Sequence, residues 1–377
     1  MTKVLHVISS MSAGGIESFV VALYKNIDRE NFHFDFAVFN PNDPIHEEEL
    51  KNLGANIYYV ADAGCNTTKL SKIMWRLKAI HNYNKLLKKN KYDVVHCHNY
   101  QSFSLYVLLA RLHGIRKTIV HSHTGGGVNE TKWTYIIRRI KKTLGFEWLI
   151  TDKIGCSNIA TDWLYGHGSV QKGKAKTIYS GIDTEKFSRK NYPDKEKIVR
   201  KYGIDNRIQF AHVGRFSVPK NQFFMLETFT KIKAQIPNVH LNLVGFGELE
   251  GKLKKFVTDN NLDDSVTFYP SNTNIPELLS INDFFLLPSL WEGFPIVAVE
   301  SQCIELPIYI SNKVTKEVDM GIAKYLPIDD AQFWADEIIN DINNNTYPKN
   351  LDPEKVKLFD MKNVAHNFEK LYSNVRK

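Results

Sequence analysis

Cysteine and long hydrophobic runs are scarce in this sequence. The chain of 377 residues has only four cysteines, widely spaced and without a Cys-x-x-Cys pair, at Cys65, Cys97, Cys156 and Cys303. Isolated cysteines are typical of reduced thiols, which excludes the disulfide-stapled secreted domains. No stretch is apolar for long enough to span a bilayer, and the first apolar run is interrupted by His6 and too short for a signal peptide. We therefore expect a cytoplasmic protein.

Low-complexity tracts and repeats at solenoid spacing are also missing. Apolar residues make up 43% and charged residues 24% of the chain, which is the composition of a folded globular protein. Because 377 residues exceed the usual size of one hydrophobic core, two domains are expected.

Positive charge is in excess, since 49 lysines and arginines outnumber 41 acidic residues and give a net charge of +8. We expect a partner with negative charge, though not a nucleic acid. Basic and apolar side chains alternate with a helical period over residues 69–91 and 132–150. Such helices either make peripheral contact with an anionic membrane or cover a hydrophobic core with a solvated outer face, and the sequence leaves both interpretations open.

Short apolar runs alternate with helical patterns in the N-terminal half. The first run, residues 3–9, leads through a turn with Gly14 and Gly15 into a helix over residues 16–27, which is the opening of a βαβ unit. Further strands are predicted at residues 34–39, 55–60, 93–97, 117–121 and 153–156. Because helical segments separate these strands, we predict a parallel sheet covered on both faces.

The same alternation returns after a polar, charged stretch at residues 184–207. Strands are predicted at residues 208–213, 240–244, 266–269 and 283–287. The predicted fold class is α/β, with two Rossmann-like doubly wound domains that face each other across a cleft. We place an N-terminal domain at residues 1–187, a C-terminal domain at 188–361, and a helix at 362–377 that packs back toward the N-terminal domain.

Two carboxylates, Glu292 and Glu300, flank a Gly-Phe-Pro turn. Pro295 suits the first position of a helix, because its missing N–H would be unpaired there, and the amides of Ile296 and Val297 can then face an anion. A diphosphate at this helix start would have one carboxylate near its transferred group and the other near its nucleoside. Each carboxylate can accept two hydrogen bonds from a vicinal diol. Alone, the pattern fits a solvated helix start equally well.

A competing glycine pattern follows the strand at residues 240–244. The sequence Gly245-Phe246-Gly247 approximates a nucleotide-binding turn and keeps a NAD-dependent oxidoreductase open as an alternative. The acidic residue that such a site needs about 20 positions later would fall near Asp263, in a predicted loop. Phe246 itself either stacks near a base or, as is usual for a lone phenylalanine, packs.

Two histidine pairs raise the question of a metal. His96 and His98, like His121 and His123, place two imidazoles on one face of a strand, a geometry that can bind zinc. No Asp or Cys completes either pair at ligand spacing. We therefore predict no metal site.

The most specific of these motifs match one family. They are the Glu-x7-Glu element at Glu292 and Glu300 and the segment 213–221, with weaker matches at residues 14–17, 121–123 and 245–247. Over essentially its full length the chain resembles the family-four retaining glycosyltransferases with the GT-B fold. The resemblance is greatest to the bacterial enzymes that build capsular or exopolysaccharide repeat units on lipid carriers.

The resemblance implies a role for each matched residue. It assigns the donor diphosphate to Arg215 and Lys220 and the ribose hydroxyls to Glu300. Fixed cations at that point would stabilise the charge that gathers on a departing nucleoside diphosphate. It also implies that the hydroxyls of the donor sugar are bound by Glu292 and the residues that follow it, namely Gly293, Phe294, Pro295 and Ile296.

On the N-terminal side, His123 matches the family histidine that contacts the donor sugar. Gly14 and Gly15 would let the backbone approach donor and acceptor closely. The residues that the resemblance assigns to catalysis are His123, Arg215, Lys220 and Glu292.

The implied reaction is transfer of a hexosyl group from a uridine-linked nucleotide sugar to a hydroxyl of a lipid-linked or oligosaccharide acceptor, with retention at the anomeric carbon. No cofactor is implied, because the nucleotide sugar is a substrate. The Asp-x-Asp motif that holds a metal-bound diphosphate in other transferases is absent from the sequence, so metal-independent transfer is expected. A nucleotide-sugar epimerase of the same fold and a non-enzymatic membrane-bound scaffold remain alternatives.

Overall fold

The computed structural model of the chain describes residues 1–11, 14–41, 45–61, 68–98, 103–125, 146–348 and 350–374. Within them the strands are β1 Thr2–Ser10, β2 Phe32–Asn40, β3 Asn56–Tyr59, β4 Val94–Cys97, β5 Lys117–Ser122, β6 Asp152–Gly155, β7 Lys176–Thr177, β8 Ile208–Val213, β9 Val239–Val244, β10 Val266–Tyr269, β11 Phe284–Leu287, β12 Ile308–Ser311 and β13 Ala323–Leu326. The α-helices are α1 Gly15–Asn26, α2 Glu47–Asn52, α3 Lys69–Lys89, α4 Phe103–Leu112, α5 Asn158–Tyr165, α6 Lys195–Tyr202, α7 Gln222–Gln235, α8 Glu250–Asp259, α9 Ile275–Leu279, α10 Ile296–Cys303, α11 Ala331–Asn344, α12 Pro353–Phe359 and α13 Met361–Ser373.

The first of two compact units contains Met1–Gly181 and Asp360–Lys377. Its seven-stranded sheet has the order β3-β2-β1-β4-β5-β6-β7, and every neighbouring pair is parallel. Alternate residues of β1 enter different cores, with Val4 and Ile8 on the face of α1 and α13 and Leu5 and Val7 on the other face. Both faces are therefore covered, which explains why β1 is an almost continuous apolar run.

The second unit, Ile182–Phe359, is built on a six-stranded parallel sheet of order β10-β9-β8-β11-β12-β13. Both sheets have the doubly wound strand order. In each unit the second and third strands lie on one side of the first strand, and the later strands lie on its other side. The order reverses between β1 and β4 in the first unit and between β8 and β11 in the second. The predicted fold class is confirmed.

The first unit ends at Gly181 rather than at residue 187. The N–H of Ile182 donates to the carbonyl oxygen of Phe359 at 2.8 Å, so the chain is already tied to the second unit there. After Phe359 the chain returns to the first unit, where α13 packs against α1 and β1. Its buried face includes Phe368 and Tyr372.

Strands β7, β12 and β13 are not predicted from the sequence. β7 contains only two residues, too few to display a hydrophobic period, and β12 and β13 contain four each. Of the predicted basic helix over residues 132–150, positions 132–145 lie outside the described residues, and Phe146–Leu149 form a 3-10 turn.

Helix α3 spans most of the first basic stretch and is apolar on two faces. Ala79, Tyr83, Leu86 and Leu87 are buried in the core. On the opposite side, the exposed fractions of Leu70, Ile73, Met74 and Leu77 are 70%, 53%, 60% and 56%. We call these four residues the outer face of α3. Among the residues that the structure describes, no helix has both the length and the apolar character needed to cross a membrane.

Candidate active site

The candidate site of the second unit lies where strands β8 and β11 end. These strands are parallel neighbours, and the strand order reverses between them. The chain leaving β8 carries Arg215 and Lys220, and the chain leaving β11 carries Glu292. The topology thus brings two distant segments to the crevice where doubly wound sheets bind their ligands.

Lys220 and Glu292 form an ion pair at this crevice. The ammonium nitrogen Nζ lies 2.6 Å from Oε1 of the carboxylate, and the two side chains are only 18% and 15% exposed. The hydroxyl of Ser289 donates to the same oxygen at 2.8 Å. Among the described residues the other oxygen, Oε2, has no hydrogen-bond partner, so the carboxylate can accept further bonds from a ligand.

The backbone of Arg215 is fixed by a hydrogen bond, whereas its side chain makes only a weak ion pair. Its guanidinium is 68% exposed, and its Nε lies 3.7 Å from a carboxylate oxygen of Glu248, which is 56% exposed. An exposed ion pair at this distance is weak. The side-chain amide of Gln222 donates to the carbonyl oxygen of Arg215 at 2.9 Å. The guanidinium can therefore turn toward an anion while its loop stays in place.

The two glycines of the 245–247 turn allow a close backbone contact with the Arg215 loop. The N–H of Phe216 donates to the carbonyl oxygen of Phe246 at 2.8 Å. A Cβ on Gly245 or Gly247 would lie 2.1 or 2.3 Å from a backbone oxygen of that loop. The glycine pattern thus has a packing cause. Phe246 is 47% exposed, so it does not pack in the core of this unit.

The turn before α10 differs slightly from the prediction. Pro295 occupies the N-cap position, with φ −74° and ψ 96°, and the helix begins at Ile296. The buried ring of Phe294 packs 5.7 Å from the ring of Phe359, while Gly293 is half-buried. Because the first amides of a helix have no partner four residues earlier, the start of α10 still presents N–H groups at the end of β11.

Glu300 lies in the second turn of α10 and is half-buried. Burial raises the pKa of its carboxyl to about 7, against the opposing effect of the Lys186 ammonium. Near neutral pH the side chain therefore exchanges between an acid that can donate one hydrogen bond and a carboxylate that only accepts.

In the first unit, Gly14 is the N-cap of α1 and Gly15 is its first residue. A Cβ on Gly14 would come within 2.3 Å of Oε2 of Glu17, whose buried carboxylate accepts a bond from the hydroxyl of Ser10 at 2.7 Å. A Cβ on Gly15 would meet no described atom within 4 Å. A side chain at position 14 would therefore displace the Glu17 carboxylate, whereas one at position 15 would not.

His123 belongs to a cluster of five imidazoles in mutual ring contact at the reversal between β1 and β4. The cluster consists of His6, His96, His98, His121 and His123. Register explains the assembly, since His6 on β1 lies beside His96 on β4. Phe19 of α1 and Phe368 of α13 pack against it. We call this group the histidine cluster.

The histidine cluster changes the argument about a metal. Each pair was judged incomplete along the chain, yet the fold joins them into two groups of three whose ligand nitrogens lie within 4.8 Å of one another. However, the rings of His96 and His98 are stacked, with centroids 4.1 Å apart and planes at 29°. The lone pairs of stacked rings run side by side instead of meeting about 2 Å away at one ion.

Three further residues were not singled out from the sequence. Ser289 directly follows the strand end and holds Glu292. His212 donates from Nδ1 to the carbonyl oxygen of Leu286 at 2.8 Å, which leaves its Nε2 to accept a bond from Gln222 at 3.3 Å. The contact between His212 and Leu286 joins β8 to β11, so no spacing along the chain predicts it, whereas Ser289 and Gln222 contact residues three to ten positions away.

Family models match both units of the chain. A model described as Glycosyltransferase Family 4 matches residues 13–186, and one described as Glycosyl transferases group 1 matches residues 194–345. The putative glycosyltransferase EpsF of Bacillus subtilis is 32% identical over 327 residues, which cover 85% of this chain and 82% of the relative. The capsular polysaccharide biosynthesis glycosyltransferase CapH of Staphylococcus aureus is 28% identical over 85% of this chain and 84% of its own length.

Solved structures agree on the fold. HepE of Anabaena, crystallised in complex with UDP-glucose, superimposes with a TM-score of 0.80 over 99% of this chain and 100% of that chain, at 18% identity. The predicted family is confirmed: the chain belongs to the family-four glycosyltransferases, and its two parallel-sheet units have the GT-B fold. It is a glycosyltransferase.

Acid should unfold the first unit through the histidine cluster. Burial lowers the pKa of all five imidazoles, to about 3 for His6 and His123. In the unfolded chain each pKa returns to about 6.5, so below that pH the unfolded state binds more protons. The contribution of the cluster to the free energy of unfolding should be constant above pH 6.5 and fall below it by about 1.4 kcal/mol per pH unit for each imidazole.

Denaturant unfolding between pH 7.5 and 5.5 measures this slope. His121→Phe should make it shallower, whereas His81→Gln, at an exposed position on α3, should leave it unchanged. A wild-type stability that stays constant down to pH 5.5 would contradict the assignment.

Proposed function

We propose that this enzyme transfers a hexosyl group from a uridine-linked nucleotide sugar to a hydroxyl of a lipid-linked or oligosaccharide acceptor in polysaccharide biosynthesis, with retention at the anomeric carbon. The names of its relatives support the substrate classes. An Escherichia coli relative, 34% identical over 66% of this chain, is named as a UDP-Gal:α-D-GlcNAc-diphosphoundecaprenol α-1,3-galactosyltransferase. HepE of Anabaena was crystallised with UDP-glucose.

The observation that carries the proposal is the Lys220–Glu292 pair at the end of β8 and β11. Without ligand, the ammonium and the carboxylate neutralise each other at 2.6 Å. An arriving diphosphate attracts Lys220 and Arg215, while Glu292 keeps its bond from Ser289 and offers Oε2 to a sugar hydroxyl. A nucleotide sugar has the anion and the diol that these two opposite charges require.

During transfer, negative charge develops on the departing nucleoside diphosphate, and nearby positive groups would stabilise it there. Arg215, Lys220 and the first amides of α10 supply positive charge to the departing nucleoside diphosphate. We propose that this set makes a metal ion unnecessary. Gly293, Phe294, Pro295 and Ile296 would contact the sugar and the phosphates through their backbone.

The remaining assignments complete the proposal. Glu300 would hold the ribose hydroxyls, and on the first unit His123 would contact the transferred sugar, with Gly14 and Gly15 shaping the turn. Because no carboxylate stands out as a nucleophile, the departing phosphate itself would assist deprotonation of the acceptor on the same face. That geometry retains the anomeric configuration.

Single substitutions at the ion pair test the proposal. We expect Lys220→Gln to lower the rate of transfer from a uridine-linked sugar by about 100-fold or more, because it removes a fixed cation from the leaving group. Glu292→Gln should lose activity to a similar extent, and Arg215→Gln should weaken donor binding. Nuclear magnetic resonance of the product should show the donor's anomeric configuration, and transfer should persist in a chelator.

Lys233→Gln is the matched control. Lys233 lies at the far end of α7 and pairs with Asp264 at 2.6 Å, the same distance as in the site, but next to the amino end of β10. Replacing Lys233 should leave the rate of sugar transfer unchanged. Full activity in all three site variants, or turnover of the donor without any acceptor, would contradict the proposed reaction.

We further propose that the outer face of α3 rests on an anionic membrane, where a lipid-linked acceptor would be found. Four apolar side chains exposed at helical spacing are unusual on a solvated surface, and Lys72, Arg76 and Lys78 around them are exposed as well. Apolar insertion beside basic residues is the pattern of a helix that lies in the interface plane.

Sedimentation with vesicles that contain phosphatidylglycerol tests this contact. Replacing Ile73 and Leu77 by Ser should weaken binding at low salt by about tenfold or more, because each residue would lose apolar burial. A double change at Phe333 and Leu358, which are 41% and 47% exposed in the second unit, should have no effect. Failure of the wild-type chain to sediment would refute the proposal.

A further inference from the structure

Three imidazoles of the histidine cluster form a continuous hydrogen-bonded chain. Nδ1 of His6 lies 3.0 Å from Nε2 of His98, and Nδ1 of His98 lies 2.8 Å from Nε2 of His123. His6 is fully buried and His98 almost so, whereas His123 is half-buried. The chain therefore leads from the interior of the first sheet to His123, to which the proposed function assigns a contact with the sugar.

Strand geometry holds the chain in place. His6 is fixed within β1, and the N–H of His98 donates to the carbonyl oxygen of Val7 at 2.9 Å as β4 ends. His123 follows directly on β5, the next strand of the sheet. All three backbones are therefore set by the central strands, which leaves the imidazoles little freedom to break their bonds.

Neutral imidazoles in such a chain have only two proton arrangements. Each ring has one donor and one acceptor nitrogen, so His98 must accept at one end and donate at the other. Either every proton points toward His123, which then carries its own proton on Nδ1, or every proton points toward His6. The state of His6 thus decides which kind of nitrogen His123 presents.

The buried end of the chain favours the first arrangement. Nε2 of His6 is buried and has no hydrogen-bond partner. If the protons pointed inward, this atom would be a buried N–H without an acceptor, and such orphaned donors are rarer in proteins than acceptors with an unused lone pair. If they point outward, it is only a lone pair surrounded by the rings of Phe34 and Phe36.

We propose that His6 and His98 are positioning residues that keep the proton of His123 on Nδ1, so that His123 offers a hydrogen-bond donor to an oxygen of the transferred sugar. This inference rests on the proposed function for the contact itself. Among the described residues Nδ1 of His123 has no partner in the protein, so the atom is available for that bond. The chain supplies no proton to the reaction; it fixes which nitrogen holds one.

Nitrogen-15 spectra of histidine-labelled, ligand-free enzyme read the tautomers directly. We expect His98 and His123 to be protonated on Nδ1 in the wild-type chain. In His6→Phe the direction is no longer fixed, so both residues should show mixed tautomers, and kcat/KM for the nucleotide sugar should fall about tenfold, the effect of one lost hydrogen bond.

Two further variants separate positioning from mere packing. His6→Asn places an amide near the position of Nδ1 and should restore both the wild-type tautomer and most of the activity. His121→Phe makes the same ring replacement in the cluster, but both nitrogens of His121 are without partners, so the tautomer of His123 should not change.

The spectra test the tautomer of His123, and the activity tests the proposed function. A wild-type His123 protonated on Nε2, or a His6→Phe variant whose His123 stays fully on Nδ1, would overturn the inference whatever the activity. If the spectra show the expected tautomers but the protein does not use nucleotide sugars, the imidazole chain is supported and the proposed function is contradicted.

Discussion

The ion pair between Lys220 and Glu292 is the interaction on which the candidate active site depends. Each side chain is more than four-fifths removed from water, and a charge in such a place is costly without a partner. The two residues are 72 positions apart, and only the parallel pairing of β8 with β11 brings them together. The two opposite charges offset each other, and under the proposed function a ligand with an anion and a diol would replace each partner.

The first unit repeats the topology with a different chemistry. Where the second unit places opposite charges at its strand reversal, the first places imidazoles that burial keeps neutral. Charge suits a diphosphate, whereas a neutral, directional donor suits a sugar oxygen. Under the proposed function, the second reversal would suit the diphosphate of the donor and the first would suit its sugar.

Much of the fold follows from the sequence, because strands buried on both faces are apolar without interruption and glycines separate them from helices. Strands β12 and β13, with four residues each, are not predicted, although β10 and β11 of the same length are. The sequence predicts Glu292, Lys220 and Arg215 as site residues, because each belongs to a motif of neighbouring residues. The bond between His212 and Leu286 and the joining of His6 with the two histidine pairs are not predictable in this way, because strand register makes these contacts and no spacing along the chain reports it.

A crystal structure of the enzyme with a bound uridine-linked sugar tests the central claim most directly. The account predicts the diphosphate at the start of α10, with the ammonium of Lys220 drawn away from Glu292 to within about 3 Å of a phosphate oxygen and a sugar hydroxyl on the freed carboxylate. A diphosphate bound elsewhere, with the Lys220–Glu292 pair unchanged, would contradict it.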